Sequence, residues 1–131
     1  MQATPPRSAG FALPTGALLG GLAVALGAFG AHAMKSSYDE VALRTFEVGV
    51  RYQMYHALAL VGCGALHALG LRTRAASLLF VVGVLLFSGS LYGLALADLR
   101  WLGPVTPIGG VAFLAGWIAL AIGVRKRADA S

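Results

Sequence analysis

The chain has 131 residues, of which 58% are hydrophobic and only 11% are charged, and its mean hydropathy is +0.78. Because soluble domains carry about 25% charged residues, this composition excludes an ordinary water-soluble domain and predicts one small membrane domain. The net charge of +5 does not indicate a nucleic-acid partner, because the basic residues occupy short connections and the C-terminus, where membrane proteins place them.

The first apolar run predicts a transmembrane helix over residues 11–31. The run contains no charged residue, and about 20 apolar residues in a helix cross the hydrocarbon core of a bilayer. Pro14 lies in the predicted first turn, where the missing N–H costs no helical hydrogen bond. Residues 1–10 are polar and contain proline, so we expect a disordered N-terminal lead-in.

A secretory signal peptide is the alternative interpretation of this first run. Arg7 precedes it, and Ala31-His32-Ala33 has the small-x-small pattern of a cleavage site. However, the run is longer than the usual apolar region of about 7–15 residues, and it is rich in glycine. These features favour a span that is not cleaved.

Residues 35–51 mix charged and apolar positions between the first two apolar runs. Ser36, Ser37 and Asp39 are all suitable helix caps. A less polar face at helical spacing is formed by Val41, Thr45, Val48 and Tyr52. The segment therefore predicts a short amphipathic helix at the membrane interface that leads into the second span, with a solvated loop as the alternative.

Three further apolar runs are long enough to cross the membrane. They cover residues 52–71, 75–97 and 105–124. Arg72 and Arg74 mark a short hairpin between the second and third spans. The predicted fold class is an all-α integral membrane four-helix bundle, with residues 11–124 as a single transmembrane domain and residues 125–131 as a basic C-terminal tail.

The distribution of basic residues predicts the orientation of this bundle. Four spans place both termini and the second connection on one side of the membrane. The six basic residues of that side are Arg7, Arg72, Arg74, Arg125, Lys126 and Arg127. The four of the other side are Lys35, Arg44, Arg51 and Arg100. Because cytoplasmic connections carry the excess of Lys and Arg, we expect a multi-pass protein of the bacterial inner membrane with both termini in the cytoplasm.

Glycines recur in the predicted spans at spacings that suit close helix packing. Lipid gives helices little hydrophobic reason to associate, so small residues that let backbones approach become important. The predicted packing positions are Gly16, Gly20, Gly27, Gly89, Gly93, Gly109, Gly116 and Gly123. These positions predict tightly apposed helices rather than a wide pore.

Polar residues inside the spans form a candidate binding cluster in the outer half of the bundle. Its members are His32, Tyr52, Gln53, His56, Ser88, Ser90, Tyr92 and Thr106. Imidazoles from two neighbouring helices can bind haem iron or another transition metal, which makes His32 and His56 weak metal candidates. The alternative, which we favour, is that these histidines only hydrogen-bond carbonyls or water at helix ends.

The remaining histidine and the single cysteine do not extend this cluster. His67 follows His56 on nearly the same helix face but about 16 Å further along the axis, so the two cannot share a ligand. Cys63 has no partner for an intrachain disulfide, and its apolar surroundings predict a buried, inert thiol.

Four segments together resemble one known family. They are GALLGGLAVALGAFGAHAMK (16–35), YQMYHALAL (52–60), FSGSLYGLAL (87–96) and TPIGGVAFLAGW (106–117). In this order they are similar to the signature segments of the DUF423 family of small bacterial membrane proteins, which includes YgdD and YwdK. The resemblance implies a four-helix inner-membrane protein without an assigned biochemical activity, so it supports the predicted fold and location and leaves the function open.

Three functional hypotheses follow, and no cofactor is predicted. The first is a structural or accessory subunit whose partners are the lipid bilayer and either a larger membrane complex or a second copy of the chain. The second is a binding module for a small apolar or redox ligand, such as a lipid, a quinone or haem. An enzyme is the least favoured, because the spans lack carboxylates and known catalytic motifs, and His56 beside Tyr52 is the only starting point for a general base.

Overall fold

The computed structural model describes residues 3, 5 and 7–130, with side chains as far as Arg125, and these residues form four long helices. The helices are α1 (Ala12–His32), α2 (Glu40–Ala68), α3 (Arg74–Ala97) and α4 (Val105–Ala130). The described residues contain no β-strand, so the prediction of an all-α membrane fold is confirmed. Residues 1, 2, 4 and 6 of the predicted disordered lead-in lie outside the described part of the chain.

Three of the helical segments are long and apolar enough to cross a membrane. They are Ala12–His32, Arg74–Ala97 and Arg100–Arg125, the last of which joins a 3-10 turn at Arg100–Leu102 to α4. The fourth helix, α2, is 29 residues long but carries polar and charged side chains through its first half. Of the four predicted spans, the second is therefore the only one whose composition does not by itself indicate a transmembrane helix.

The course of α2 differs from the sequence prediction. Residues 40–68 form one continuous helix, so the separate interfacial helix was wrong. Of the three suggested caps, Asp39 is the one that acts, because its carboxylate accepts a hydrogen bond from the amide of Ala42 at 2.8 Å. The predicted less polar face was also wrong: Val41 is 72% exposed, whereas Phe46 and Gln53 are buried. One buried face, from Phe46 to Gly64, runs through the polar and the apolar part of the helix alike.

The C-termini of α2 and α4 have different local structures. α2 ends in a Schellman motif, in which the amides of Gly70 and Leu71 donate to the carbonyls of His67 (2.8 Å) and Leu66 (3.0 Å). Gly70 has φ +86, a conformation that glycine adopts without strain. At its C-terminus α4 continues to Ala130, so the described part of the predicted basic tail is helical.

The helices pack in chain order, α1 on α2, α2 on α3 and α3 on α4. This antiparallel arrangement gives the bundle two ends of different character. The basic end contains Arg7, the connection between α2 and α3, and the last turns of α4. The mixed-charge end contains the connection between α1 and α2 and the turn between α3 and α4. Buried apolar side chains form one cluster around Leu60 and Phe80 and a second around Phe46 at the mixed-charge end.

Close backbone contacts occur at several of the predicted glycines. A Cβ added at Gly16 would lie 2.6 Å from the carbonyl oxygen of Ala57, and one at Gly116 would lie 2.7 Å from the ring of Phe80. A Cβ at Gly109 would overlap the backbone of Phe87. Since backbone atoms cannot rotate away as side chains do, α4 approaches α3 this closely only because residue 109 is glycine.

The other predicted glycines and several unpredicted ones behave differently. Gly20 and Gly27 make ordinary contacts with α2, and Gly123 faces the carbonyl oxygen of Arg72. Gly89 meets nothing within 4 Å, and Gly93 faces a leucine of the following turn, so neither serves the predicted packing of one span on another. The sequence analysis missed the close contacts at Gly30, Gly49, Gly64 and Gly83.

Candidate functional site

A π-helical turn at Val84–Ser88 interrupts α3 where that helix meets α2 and α4. Such a turn inserts one extra residue per turn and rotates the side chains that follow it. Ser88 points towards α2 and donates a hydrogen bond of 2.6 Å to the carbonyl oxygen of Gly49. The turn thus connects a buried hydroxyl of one helix to the backbone of the next.

Gln53 is the centre of the polar interior. Its amide nitrogen donates to the carbonyl oxygen of Leu19 in α1 at 2.9 Å, and its amide oxygen accepts from the hydroxyl of Tyr92 in α3 at 2.7 Å. One buried side chain therefore ties three helices together. We call Gln53, Tyr92, Ser88 and their carbonyl partners Leu19 and Gly49 the polar network.

A second polar contact joins α3 to α4. The hydroxyls of Ser90 and Thr106 lie 2.6 Å apart, and Ser90 also donates to the carbonyl oxygen of Phe87 at 2.9 Å. Because Ser90 has a single hydroxyl proton, Thr106 is the donor between the two hydroxyls. This pair closes the π-helical turn against the start of α4.

His56 is buried, and both of its ring nitrogens are engaged. Nδ1 lies 2.7 Å from the carbonyl oxygen of Tyr52, and Nε2 lies 3.2 Å from the indole nitrogen of Trp117. A carbonyl only accepts and an indole N–H only donates, so the imidazole is neutral with its proton on Nδ1. The ring also stacks on Phe113, with centroids 3.5 Å apart. Neither nitrogen is available to bind a metal or to act as a general base in this arrangement.

Aromatic side chains surround His56 and line a groove on the lipid-facing side of α2, α3 and α4. This aromatic groove has a volume of about 630 Å³. Its main lining residues are Tyr52, Tyr55, His56, Phe87, Phe113 and Trp117. Tyr52 packs against Phe87 with ring centroids 4.8 Å apart, and Trp117 is 47% exposed. The groove is thus a mainly apolar surface that also contains the His56–Trp117 pair and the hydroxyl-bearing rings of Tyr52 and Tyr55.

The predicted cluster is partly brought together and partly divided. Gln53, Ser88 and Tyr92 share the polar network, and Ser90 and Thr106 form the second contact. The eight residues nevertheless make no common cavity: five of them are used in these contacts between helices, His56 pairs with Trp117, and His32 is exposed. Trp117 and Gly49 were not predicted from the sequence, although an indole N–H in the last span needs a hydrogen-bond acceptor when it is buried.

His32 does not belong to this region. It is exposed at the end of α1, whereas His56 packs at the level of Gly20, since the adjacent Ala57 contacts that glycine. His32 is therefore about 18 Å further along the helix axis. The two imidazoles of the suggested metal or haem pair are too far apart to share a ligand, and within the described residues there is no group of three or more metal-ligating side chains.

The two residues left outside the cluster have structural surroundings. Cys63 is fully buried as a free thiol, and its carbonyl oxygen accepts a hydrogen bond of 3.0 Å from Thr73. His67 lies near Gly10 at the basic end, in a pocket considered below. Across the described residues every buried side-chain nitrogen or oxygen has a hydrogen-bond partner.

Fold and interior together define a small helical membrane protein whose buried polar groups join its helices. Comparison with known sequences gives the family. The model of the family described as "Protein of unknown function (DUF423)" matches residues 26–110, and the chain belongs to this family. No solved structure matches the chain.

Relatives of similar length occur in several bacteria. The chain is 43% identical over 112 residues to a UPF0382 membrane protein of Staphylococcus haemolyticus, which covers 85% of this chain and 92% of the relative. It is 43% identical to the UPF0382 membrane protein YwdK of Bacillus subtilis, over 85% of this chain and 93% of the relative. With the UPF0382 inner membrane protein YgdD of Escherichia coli it shares 41% identity, over 88% and 90%. The resemblance stated from the four sequence segments is confirmed.

Proposed function

We propose that this protein is a structural or accessory subunit that acts through its outer surface. The observation that supports this best is the state of the interior, where every buried polar atom of the described residues already has a hydrogen-bond partner. Groups suited to catalysis or metal binding are thereby used in contacts between helices. Association with a larger membrane complex, or with a second copy, requires only the lipid-facing surface.

α1 offers the surface best suited to a neighbouring helix. It packs chiefly on α2 and leaves Ala17, Gly21 and Ala25 exposed at four-residue spacing, beside the exposed side chains of Leu18 and Val24. A Cβ added at Gly21 would meet nothing within 4 Å in this chain. Small residues at this spacing allow close helix approach in lipid, so we assign the partner helix to this face of α1.

Native mass spectrometry of the gently extracted full chain tests this proposal. We expect a complex with another polypeptide, or with a second copy, that is lost in Gly21→Leu. The matched control is Gly62→Leu on α2, another exposed glycine with nothing within 4 Å, which should keep the complex. A folded monomer under all extraction conditions would overturn the accessory role, and retention of the partner by both variants would overturn the assignment to α1.

A second candidate function is the binding of a small ring-bearing apolar ligand, such as a quinone, in the aromatic groove. The groove itself favours this, because its aromatic walls open towards lipid and leave room of about 630 Å³. Aromatic rings stack on such a ligand without needing further hydrogen bonds. A haem or metal ligand finds no support here, since both nitrogens of His56 are engaged.

Quenching of Trp117 fluorescence by decylubiquinone tests this second candidate. The measurement uses a Trp101→Phe background, because Trp101 is the only other tryptophan and lies in a turn outside the groove. Gly110→Leu fills the groove without a clash, since a Cβ there would lie 3.9 Å from Phe87, and we expect it to abolish saturable quenching. Gly89→Leu is the control. Non-saturating quenching that is equal in all three proteins would exclude the site.

We further propose that α2 crosses the bilayer, which gives four spans with both termini in the cytoplasm. Its position between α1 and α3 supports this, as does the excess of basic residues at the basic end. Reporter fusions test the orientation: fluorescent protein fused after Ser131 should fluoresce, and alkaline phosphatase inserted between Ser36 and Ser37 should be active. Phosphatase activity in a fusion to the C-terminus would contradict the proposal.

A further inference from the structure

A second cavity lies at the basic end of the bundle, remote from the aromatic groove. It has a volume of about 630 Å³ and is bounded by the connection between α2 and α3, the segment before α1 and the last turns of α4. Its polar lining consists of Arg7, His67, Arg72, Thr73 and Arg74. We call this cavity the basic pocket. The arginines that line it take no part in the polar network.

Within the part of the chain whose side chains are described, no acidic residue balances the charge of the basic pocket. Arg7, Arg72 and Arg74 form no salt bridge within the described residues. Four of the five acidic residues of the chain lie at the mixed-charge end, and the fifth, Asp129, follows Gly123 by six positions in α4, outside the described side chains. Three guanidinium groups around one cavity attract an anion with oxygen acceptors, because each presents a planar fork of donors.

The backbone that carries two of these arginines is held firmly. The hydroxyl of Thr73 donates to the carbonyl oxygen of Cys63 in α2, and the carbonyl oxygen of Arg72 packs directly on the backbone of Gly123 in α4. The Schellman motif at Gly70 fixes the other side of the connection. The loop is thus anchored to α2 and α4 on either side of the arginines. A binding site with a preformed backbone loses less entropy when a ligand binds.

The surroundings of the pocket favour a phosphate group in particular. Because Thr73 turns its hydroxyl to Cys63, the first amides of α3 receive no side-chain cap, and they add partial positive charge beside the arginines. Ala119 and Ile122 form an apolar wall, and Ile122 is 48% exposed towards lipid. A phosphate that belongs to a lipid fits this lining, because its charge meets the arginines and its acyl chain meets the apolar wall.

We propose that the basic pocket binds a phosphate group, carried either by an anionic phospholipid headgroup or by free phosphate. Arg72 and Arg74 contact the phosphate oxygens as charge-assisted donors, and Arg7 closes the site from the segment before α1. Basic pockets between helices at a membrane surface recognise anionic headgroups through the same forces.

Native mass spectrometry of the full chain in nanodiscs tests the proposal. The probes are phosphatidylglycerol mixed with phosphatidylcholine, phosphatidylcholine alone, and phosphatidylcholine with millimolar inorganic phosphate. We expect retained phosphatidylglycerol in the natural protein and a loss of affinity of about tenfold or more in Arg72→Gln/Arg74→Gln. Retention that inorganic phosphate reproduces without phosphatidylglycerol would identify free phosphate as the ligand.

A matched variant at the other end of the bundle separates the pocket from net charge. Lys35→Gln/Arg51→Gln also removes two positive charges, from a groove of about 540 Å³ that additionally contains Glu40 and Glu47. This variant should retain phosphatidylglycerol as the natural protein does. Equal loss in both double variants would mean that only overall charge matters, and a natural protein that binds neither phosphatidylglycerol nor inorganic phosphate would overturn the proposal.

A third variant guards against misfolding. Arg7→Gln changes an exposed residue that precedes the first helix, so the bundle stays folded, and it should weaken retention of phosphatidylglycerol in the same direction. Helix content from circular dichroism is compared for all variants. If Arg72→Gln/Arg74→Gln loses its helices, the result with Arg7→Gln decides: unchanged retention contradicts the pocket, and reduced retention supports it.

Discussion

The polar network and the basic pocket both place hydrophilic side chains among apolar helices. In the polar network the amide nitrogen and oxygen of Gln53 form hydrogen bonds with α1 and α3, and the hydroxyl of Ser88 donates to the backbone of α2. In the basic pocket Arg72 and Arg74 line an open cavity and make no salt bridge within the described residues. The polar groups of the network are thus already hydrogen-bonded within the protein, whereas the guanidinium groups of the basic pocket can still bind a ligand.

This difference separates stability from binding in a protein with few polar residues. A buried polar group without a partner costs free energy, so pairing within the chain stabilises the folded protein at the residues of the network. Arginines at a membrane surface remain in contact with water or headgroups, so the state without a ligand does not incur this cost. Substitutions in the two regions should therefore have different consequences, which the following variants test.

The largest effect on stability is expected for Gly109→Ala, which pushes α4 away from the π-helical turn that orients Ser88. The new methyl group would overlap the backbone of Phe87, and we expect a loss of about 1–3 kcal/mol in the free energy of unfolding. Unfolding in mixed micelles with increasing SDS measures it. Gly89→Ala, with nothing within 4 Å, is the control and should be neutral or slightly stabilising.

Removal of the central amide comes next. Gln53→Leu leaves the hydroxyl of Tyr92 without its acceptor, and we expect a loss of about 1 kcal/mol in the free energy of unfolding. Tyr92→Phe and the double variant complete a mutant cycle. A coupling free energy of about 0.5–1.5 kcal/mol between the two residues is expected, and additive effects would refute the proposed cooperation.

A smaller effect is expected from Thr106→Val, which keeps the shape of the side chain but removes the donor to Ser90. Ser90 retains its bond to the carbonyl oxygen of Phe87, so the loss in the free energy of unfolding should be about 0.5 kcal/mol. The same SDS titration measures it. A loss as large as that of Gln53→Leu would show that this contact belongs to the polar network.

The smallest effect on stability is expected in the basic pocket. Arg72→Gln should change the free energy of unfolding by no more than about 0.5 kcal/mol in lipid-free micelles, because its side chain is exposed and makes no salt bridge within the described residues. Repeating the titration with phosphatidylglycerol sharpens the comparison, since only the natural protein should then gain stability. A large loss without lipid would place Arg72 among the structural residues.

Much of the fold followed from local composition. Apolar runs without charges predicted α1 and α3 nearly at their observed bounds and the start of α4, because a bilayer accepts few other structures. The continuity of α2 did not follow, because its first half has the composition of a surface segment. Its helical course depends on Phe46 and Gln53, which neighbouring helices bury. No pattern in their own segment indicates this burial.

Some residues of the polar interior were named from the sequence, but Trp117, Gly49 and the arrangement of the residues were not. Gln53, Ser88 and Tyr92 were recognised as intramembrane polar residues, yet nothing in the sequence told which carbonyl or hydroxyl each would find. His32 was grouped with His56 because both lie near predicted boundaries of neighbouring spans. The depth at which α1 and α2 pair is set by close contacts such as that of Gly16 with Ala57, and this depth separates the two imidazoles.

By itself the sequence determined that this protein is a helical membrane protein, where three of its candidate spans lie and which family it belongs to. These properties depend on the transfer of apolar side chains into lipid and on motifs along the chain, both of which are local. Only the tertiary structure decided that the polar interior is a set of bonds between helices and that three arginines share one pocket. Those outcomes depend on the register and spacing of helices distant in sequence, which arise from backbone contacts at single glycines and from the π-helical turn of α3.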